Sequence, residues 1–214
     1  MLSRAQRGFT LLEVLLTMAI LAFGMLALAN LQVKINLTHL ESYQRAQAVV
    51  LLQDMVDRIS NNRAAASATP GSAGSYVTGT TGIDSPLGTG TASVACSGSP
   101  GVARDKCEWN NELLGAAETV GVSGPKSGAM IGARGCIERI QAPDPTTGVC
   151  TPGVYRVTVV WQGINSTFSP IPSGGGVGLL CGQSLYGNGA TGSTDDTYRR
   201  DISQQVTIGL PACS

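Results

Sequence analysis

Three patterns of apolar and polar positions follow one another along this chain. From Val14 to Val33 an almost purely apolar run contains no charged residue. Wound as a helix, that run rises about 30 Å, roughly the thickness of a bilayer's hydrocarbon core. From Lys34 the pattern turns amphipathic. Ile35, Leu37, Leu40, Tyr43, Ala46, Val50, Leu51, Met55, Val56 and Ile59 recur at helical spacing, and Gln44, Gln47, Asp54, Asp57 and Arg58 take the other face. No proline or turn-rich run intervenes before Ala68-Thr69-Pro70-Gly71. The pattern therefore predicts one continuous helix from Arg7 to Asn62, about 80 Å long, with Tyr43 and Met55 turned to a core. Glu41–Arg45 and Asp54–Arg58 are i,i+4 pairs worth a few tenths of a kcal/mol each. A helix this apolar on one side needs a sheet to cover it.

The third pattern is alternation. Ala133 to Gln141, Tyr155 to Trp161 and Arg200 to Leu210 read as strands, with Tyr155, Val157, Val159 and Trp161 on one face and Ile202, Val206 and Ile208 on one side. The turn-rich Pro143 to Gly148 joins the first two, and a Gly-rich excursion from Gly163 to Thr197 separates the last two. Asp105 followed by Glu108 predicts a capping box opening a short helix from Lys106 to about Ala117, with Trp109, Leu113 and Leu114 toward the core. Asn62 to Val94 is rich in Ala, Ser, Thr and Gly and reads as a surface connection. The expected class is α+β: a long N-terminal helix packed against an antiparallel β-sheet.

Composition sharpens this. Only 13% of the 214 residues are charged, 28 are Gly, and fourteen basic residues balance fourteen acidic ones. No basic surplus steers the chain toward nucleic acid. All six cysteines (Cys96, Cys107, Cys136, Cys150, Cys181 and Cys213) follow Val94, as expected of disulfides formed in an oxidising compartment. Zinc is disfavoured because no Cys-x-x-Cys occurs and the single histidine, His39, lies on the long helix.

Glu13 is the odd residue. A carboxylate in an apolar spanning segment costs roughly 2–4 kcal/mol and is usually paired and functional. No Lys or Arg stands one turn C-terminal to it. A short basic leader with Arg4 and Arg7 ends at Gly8, just before Phe9. Cleavage there would free an α-amino group at Phe9, which could pair with Glu13 of a neighbouring copy.

Gly8-Phe9-Thr10-Leu11-Leu12-Glu13 resembles the processing site of type IV prepilins, with cleavage after the glycine and a glutamate as fifth mature residue. The globular stretch around Trp109, Gly135-Cys136-Ile137, Tyr155 to Gly163 and Tyr198-Arg199-Arg200 resembles the PilV-type minor pilins, which modify or prime pili. The resemblance implies residues 1–8 as leader, 9–33 as membrane and filament-core helix, 34–62 as amphipathic helix, and 63–214 as a disulfide-bonded β domain. It also implies a prepilin peptidase acting at Gly8 and Phe9, N-methylation of Phe9, other pilins as partners, and Glu13 guiding registry. The precursor would sit in the inner membrane, its leader cytoplasmic by the positive-inside tendency and its globular domain periplasmic, before passing to the pilus. Pilins commonly carry a helix-breaking proline later in the apolar segment; here that region holds Asn30.

Six cysteines allow fifteen pairings. The expected set joins nearest neighbours: Cys96–Cys107, Cys136–Cys150 across a strand turn, and Cys181–Cys213, which is similar to the disulfide-bounded loop of many pilins. Ala27-Leu28-Ala29 before Asn30 also fits an ordinary secretory cleavage site, but the helical pattern continues through it. A type II secretion pseudopilin would share the same N-terminus, and a membrane-tethered binding module is a third reading. No enzyme is expected, and no cofactor, metal or small-molecule substrate. With the single histidine, His39, on the long helix there is no Ser-His-Asp or Cys-His candidate, Gly174 to Gly178 lacks the Lys-Ser/Thr of a phosphate loop, and Asp195-Asp196 reads as a solvated turn rather than a calcium cage. Asp144 carries no acid/base partner in the pattern.

Overall fold

A computed structural model describes residues 9–66, 68–89, 94–115, 130–169, 179–187 and 195–210. Helices α1 (Leu11–Asn61), α2 (Arg63–Ala66) and α3 (Val102–Leu113) precede strands β1 (Arg134–Gln141), β2 (Gly153–Gln162) and β3 (Arg199–Ile208). The α+β class expected from the sequence is present: a long N-terminal helix and a three-stranded antiparallel sheet in the order β1-β2-β3. The chain divides into two compact units, Met1–Tyr43 and Gln44–Ser214.

In the first unit the apolar part of α1 is exposed throughout, including Leu15, Ile20, Phe23 and Leu28. It is long and apolar enough to cross a membrane.

In the second unit, the last part of α1 lies in the same core as α3 and one face of the sheet. Ala48, Leu52, Met55 and Ile59 are buried with Trp109, Ile137 and Val157. The buried positions correct the expected face. Tyr43 is 47% exposed and Val50 67%, while Gln44, assigned to the polar side, is buried. The reason lies in Ala46 to Leu52, where apolar side chains surround the whole helix, so periodicity alone cannot choose which side meets the sheet. Among the described residues the Gln44 Oε1 atom has no hydrogen-bond partner.

Helix α3 begins one turn earlier than expected. Its N-cap is Gly101 and makes no side-chain cap, so Asp105 stands inside the first turn instead of capping it. There Asp105 accepts a hydrogen bond from the Tyr76 hydroxyl, 2.5 Å away. The helix stops at Leu113 because Gly115, in the left-handed region at φ 74°, donates to the Glu112 carbonyl. Trp109 and Leu113 face the core as expected, and Trp109 Nε1 donates to the Leu51 carbonyl at 2.9 Å.

Strand β2 is covered on both sides. Tyr155, Val157, Val159 and Trp161 turn to the helical side, and Val160 joins Cys136, Cys181 and Tyr186 in a second small core. The disulfides explain that second core. Cys96–Cys107 forms as expected, with Cα atoms 5.7 Å apart. Cys136 bonds to Cys181, Cα–Cα 5.8 Å, which overturns both Cys136–Cys150 and Cys181–Cys213. Cys136 stands opposite Thr158, whereas Cys150 lies beyond the closing pair Gln141↔Val154 at the other end of the hairpin. The strand from Cys136 to Gln141 alone spans about 17 Å, far beyond disulfide reach. Cys150 is also disulfide-bonded, and Cys213 lies outside the described residues.

Candidate functional site

The first turns of α1 carry the residues singled out in the sequence. Thr10 occupies the N-cap: its Oγ1 accepts from the Glu13 N–H at 3.3 Å, and its carbonyl accepts from the N–H groups of Glu13 and Val14. Thr10-Leu11-Leu12-Glu13 thus has the spacing of a capping box, and Phe9 and Val14 stand where a hydrophobic staple would form. Sequence reasoning missed Thr10, although the Thr-x-x-Glu signal was present. Phe9, Glu13, Val14 and Thr17 line one shallow recess on this end of the helix. Phe9 is 83% exposed. Thr17 directs its hydroxyl back to the Val14 carbonyl at 2.9 Å and so offers Glu13 nothing.

Among the described residues no cation lies within ion-pair distance of Glu13. The second half of a capping box, Glu13 accepting from the Thr10 N–H, is also not made among them. Glu13 is therefore an exposed acid at the head of an apolar helix, beside an exposed aromatic ring. Gly8, the expected cleavage residue, lies outside the described residues.

Residues 3–29 match the family model described as the prokaryotic N-terminal methylation motif. That match covers the N-terminal segment alone and supports a type IV pilin-like protein. No curated protein and no solved structure matches the chain. A prepilin-like motif implies processing by a prepilin peptidase, pilin-type assembly and a membrane-anchored precursor. Chains with this motif are structural rather than enzymatic.

The remaining candidates are structural. Asp196 is not a solvated turn residue: it is buried and accepts from the backbone N–H groups of Ser184 and Tyr186, with Arg199 Nε 3.9 Å away. Asp195 accepts from the Thr197 N–H at the same turn. Among the described residues no group of three acidic, His or Cys side chains could hold a metal. Asp144 caps its own turn by accepting from Thr146, whose hydroxyl and N–H hold its pKa below the ordinary carboxylate value. His39 is exposed on α1, and Gly174 to Gly178 lies outside the described residues.

One constellation was largely invisible in the sequence. Arg58 reaches Asp54 at 2.7 Å, Glu108 at 2.6 Å and Glu112 at 3.1 Å, with Asp105 at 3.6 Å. Only the Asp54–Arg58 spacing announced it. Burial opposes the Arg58 charge, yet hydrogen bonds to Glu108 and Asp54 outweigh that and raise its pKa. Burial, helped by the Asp54 charge, pushes Glu112 up to about 7. This cluster clamps the end of α1 to α3.

Proposed function

We propose that this chain is a minor pilin that takes part in priming or modifying a type IV pilus. Prepilin peptidase cleaves between Gly8 and Phe9, the new amino group of Phe9 is methylated, and α1 packs among the helices of other pilins. The observation that carries the reading is Glu13, which has no cation in reach among the described residues, beside Phe9 at the head of a membrane-length helix, inside a matched methylation motif. A like helix at its side supplies the missing cation. Opposite charges about 4 Å apart at an effective dielectric of about 20 gain roughly 4 kcal/mol, enough to offset the roughly 2–4 kcal/mol cost of an acid in the apolar layer. The leader with Arg4 and Arg7 stays cytoplasmic, and the disulfide-bonded unit is exported. The chain performs no catalysis of its own; its chemistry belongs to the peptidase and methylase that act on it.

N-terminal sequencing of the mature protein tests the first step. A chain starting at Phe9 with a methylated amino group is expected; one starting at Asn30 would sink the proposal. Gly8→Leu should leave only precursor, because the added side chain obstructs the peptidase. Glu13→Ala should be processed normally yet enter filaments at least about tenfold less, the equivalent of some 1.4 kcal/mol of lost pairing. Recovery with pilus components rather than secretion components separates a pilin from a type II secretion pseudopilin.

A further inference from the structure

The two edges of the sheet are treated differently. On β1 the outward backbone groups of Gly135 and Ile137 are covered: Gly135 exchanges hydrogen bonds with Leu87 at 2.8 and 3.0 Å, and Ile137 bonds Thr78 through its carbonyl and its N–H at 3.1 and 3.0 Å. Those bonds fix the phase of the whole sheet. With Gly135 and Ile137 facing out, Cys136 faces Thr158 on β2, so Val157 and Val159 face Gln204 and Ile202 on β3. Alternation then turns the N–H and C=O groups of Ser203, Gln205 and Thr207 away from the sheet. The hydrogen bond from Gly163 N–H to the Tyr198 carbonyl has the same phase. Among the described residues nothing bonds to these outward groups.

Natural sheets blunt such an edge with charge, proline or a bulge. Strand β3 uses none of these over Ile202-Ser203-Gln204-Gln205-Val206-Thr207-Ile208, which contains no charge, proline or glycine. Its register with β2 is unbroken from Arg199 to Ile208, whereas β1 is interrupted between Arg139 and Gln141. We propose that this edge pairs with the same edge of a second copy of the chain, antiparallel and centred on Gln205, to make a six-stranded sheet.

Self-pairing about Gln205 is favoured by the side chains it brings together. Gln205 meets Gln205, Gln204 meets Val206, Ser203 meets Thr207, a hydroxyl pair that stabilises antiparallel neighbours, and Ile202 meets Ile208, two β-branched residues suited to a pleated surface. Arg199 and Arg200 fall outside the paired stretch, and Asp201 meets Gly209, so no like charges are opposed. Gln205 is exposed and Ile202 and Val206 are only half-buried, which leaves surface for the partner to cover. The interaction lies wholly in the second unit and does not depend on how the N-terminal helix is used.

The test uses the full chain in detergent micelles, measured by sedimentation. The wild type is expected to dimerise. Gln205→Lys alone and Gln205→Glu alone should each weaken the dimer about three- to tenfold, since each places like charges face to face at the symmetry centre. Mixing the two variants should restore it. Thr207→Pro, which removes an outward N–H and no bond within the sheet, should also weaken it while leaving thermal unfolding nearly unchanged. A wild type that stays monomeric, or a dimer indifferent to all these changes, would overturn the proposal.

Discussion

At the scale of single residues, small side chains and caps set the geometry. Thr10 terminates α1 through its hydroxyl, so Thr10→Val should cost about 1 kcal/mol of local stability. Amide exchange at Glu13 and Val14 should quicken about fivefold in the variant, and Thr10→Ser should restore it. Gly135 is glycine for a different reason. A Cβ there would stand 2.3 Å from the Trp109 ring and 2.8 Å from Leu113, and Trp109 cannot retreat without giving up its bond to the Leu51 carbonyl. Gly135→Ala should destabilise the second unit by about 1–3 kcal/mol in urea unfolding, the usual cost of overpacking. The Thr10 signal was legible as Thr-x-x-Glu. The Gly135 constraint was not, because the ring it must clear comes from a helix more than twenty residues earlier.

Elements meet through charge as well as apolar packing. The clamp around Arg58 joins α1 to α3, with side chains that are partly exposed at the carboxylates and mostly covered at the guanidinium. Arg58→Met leaves its acids facing one another and should cost about 1–3 kcal/mol, between the values for exposed and buried pairs. Glu112 gives the clamp a pH dependence. Its folded pKa, about 7, lies above the ordinary 4.5, so the folded state holds its proton more tightly. That contribution is fully present below about pH 4.5 and is lost as pH rises to about 7, on the order of 1 kcal/mol after solvent screening. Glu108 and Asp84 act in the opposite sense. Their pKa values are depressed, Glu108 by Arg58 and Arg104 and Asp84 by Thr80 and Thr81, so their contribution fades only below the ordinary carboxylate range. Urea unfolding at pH 5 and pH 8 should show the Glu112 loss, and Glu112→Gln should flatten it. Periodicity placed α1, α3 and all three strands within a few residues; it could not place the clamp, whose partners are some fifty residues apart.

For the whole molecule, the Cys136–Cys181 bond closes a loop that runs from β1 to the excursion before β3 and covers the far side of β2. Replacing both cysteines by Ser should cost about 2–4 kcal/mol and expose Val160 and Tyr186. A peptide map without reduction should join the Cys136 and Cys181 peptides. Nearest-neighbour pairing failed here because strand direction, rather than chain distance, decides which sulfurs meet.

The order of residues determined by itself whatever depends on local spacing: the membrane-length apolar run, the prepilin-like start with its single acid, the class of the fold, and the Cys96–Cys107 bond across one short loop. Tertiary structure decided which side of α1 faces the sheet, the second core with its disulfide, the buried role of Asp196, and the covering of the β1 edge at Gly135 and Ile137. Each of those depends on groups brought together from distant parts of the chain, and a one-dimensional pattern carries no record of such meetings until the strands have a direction and a register.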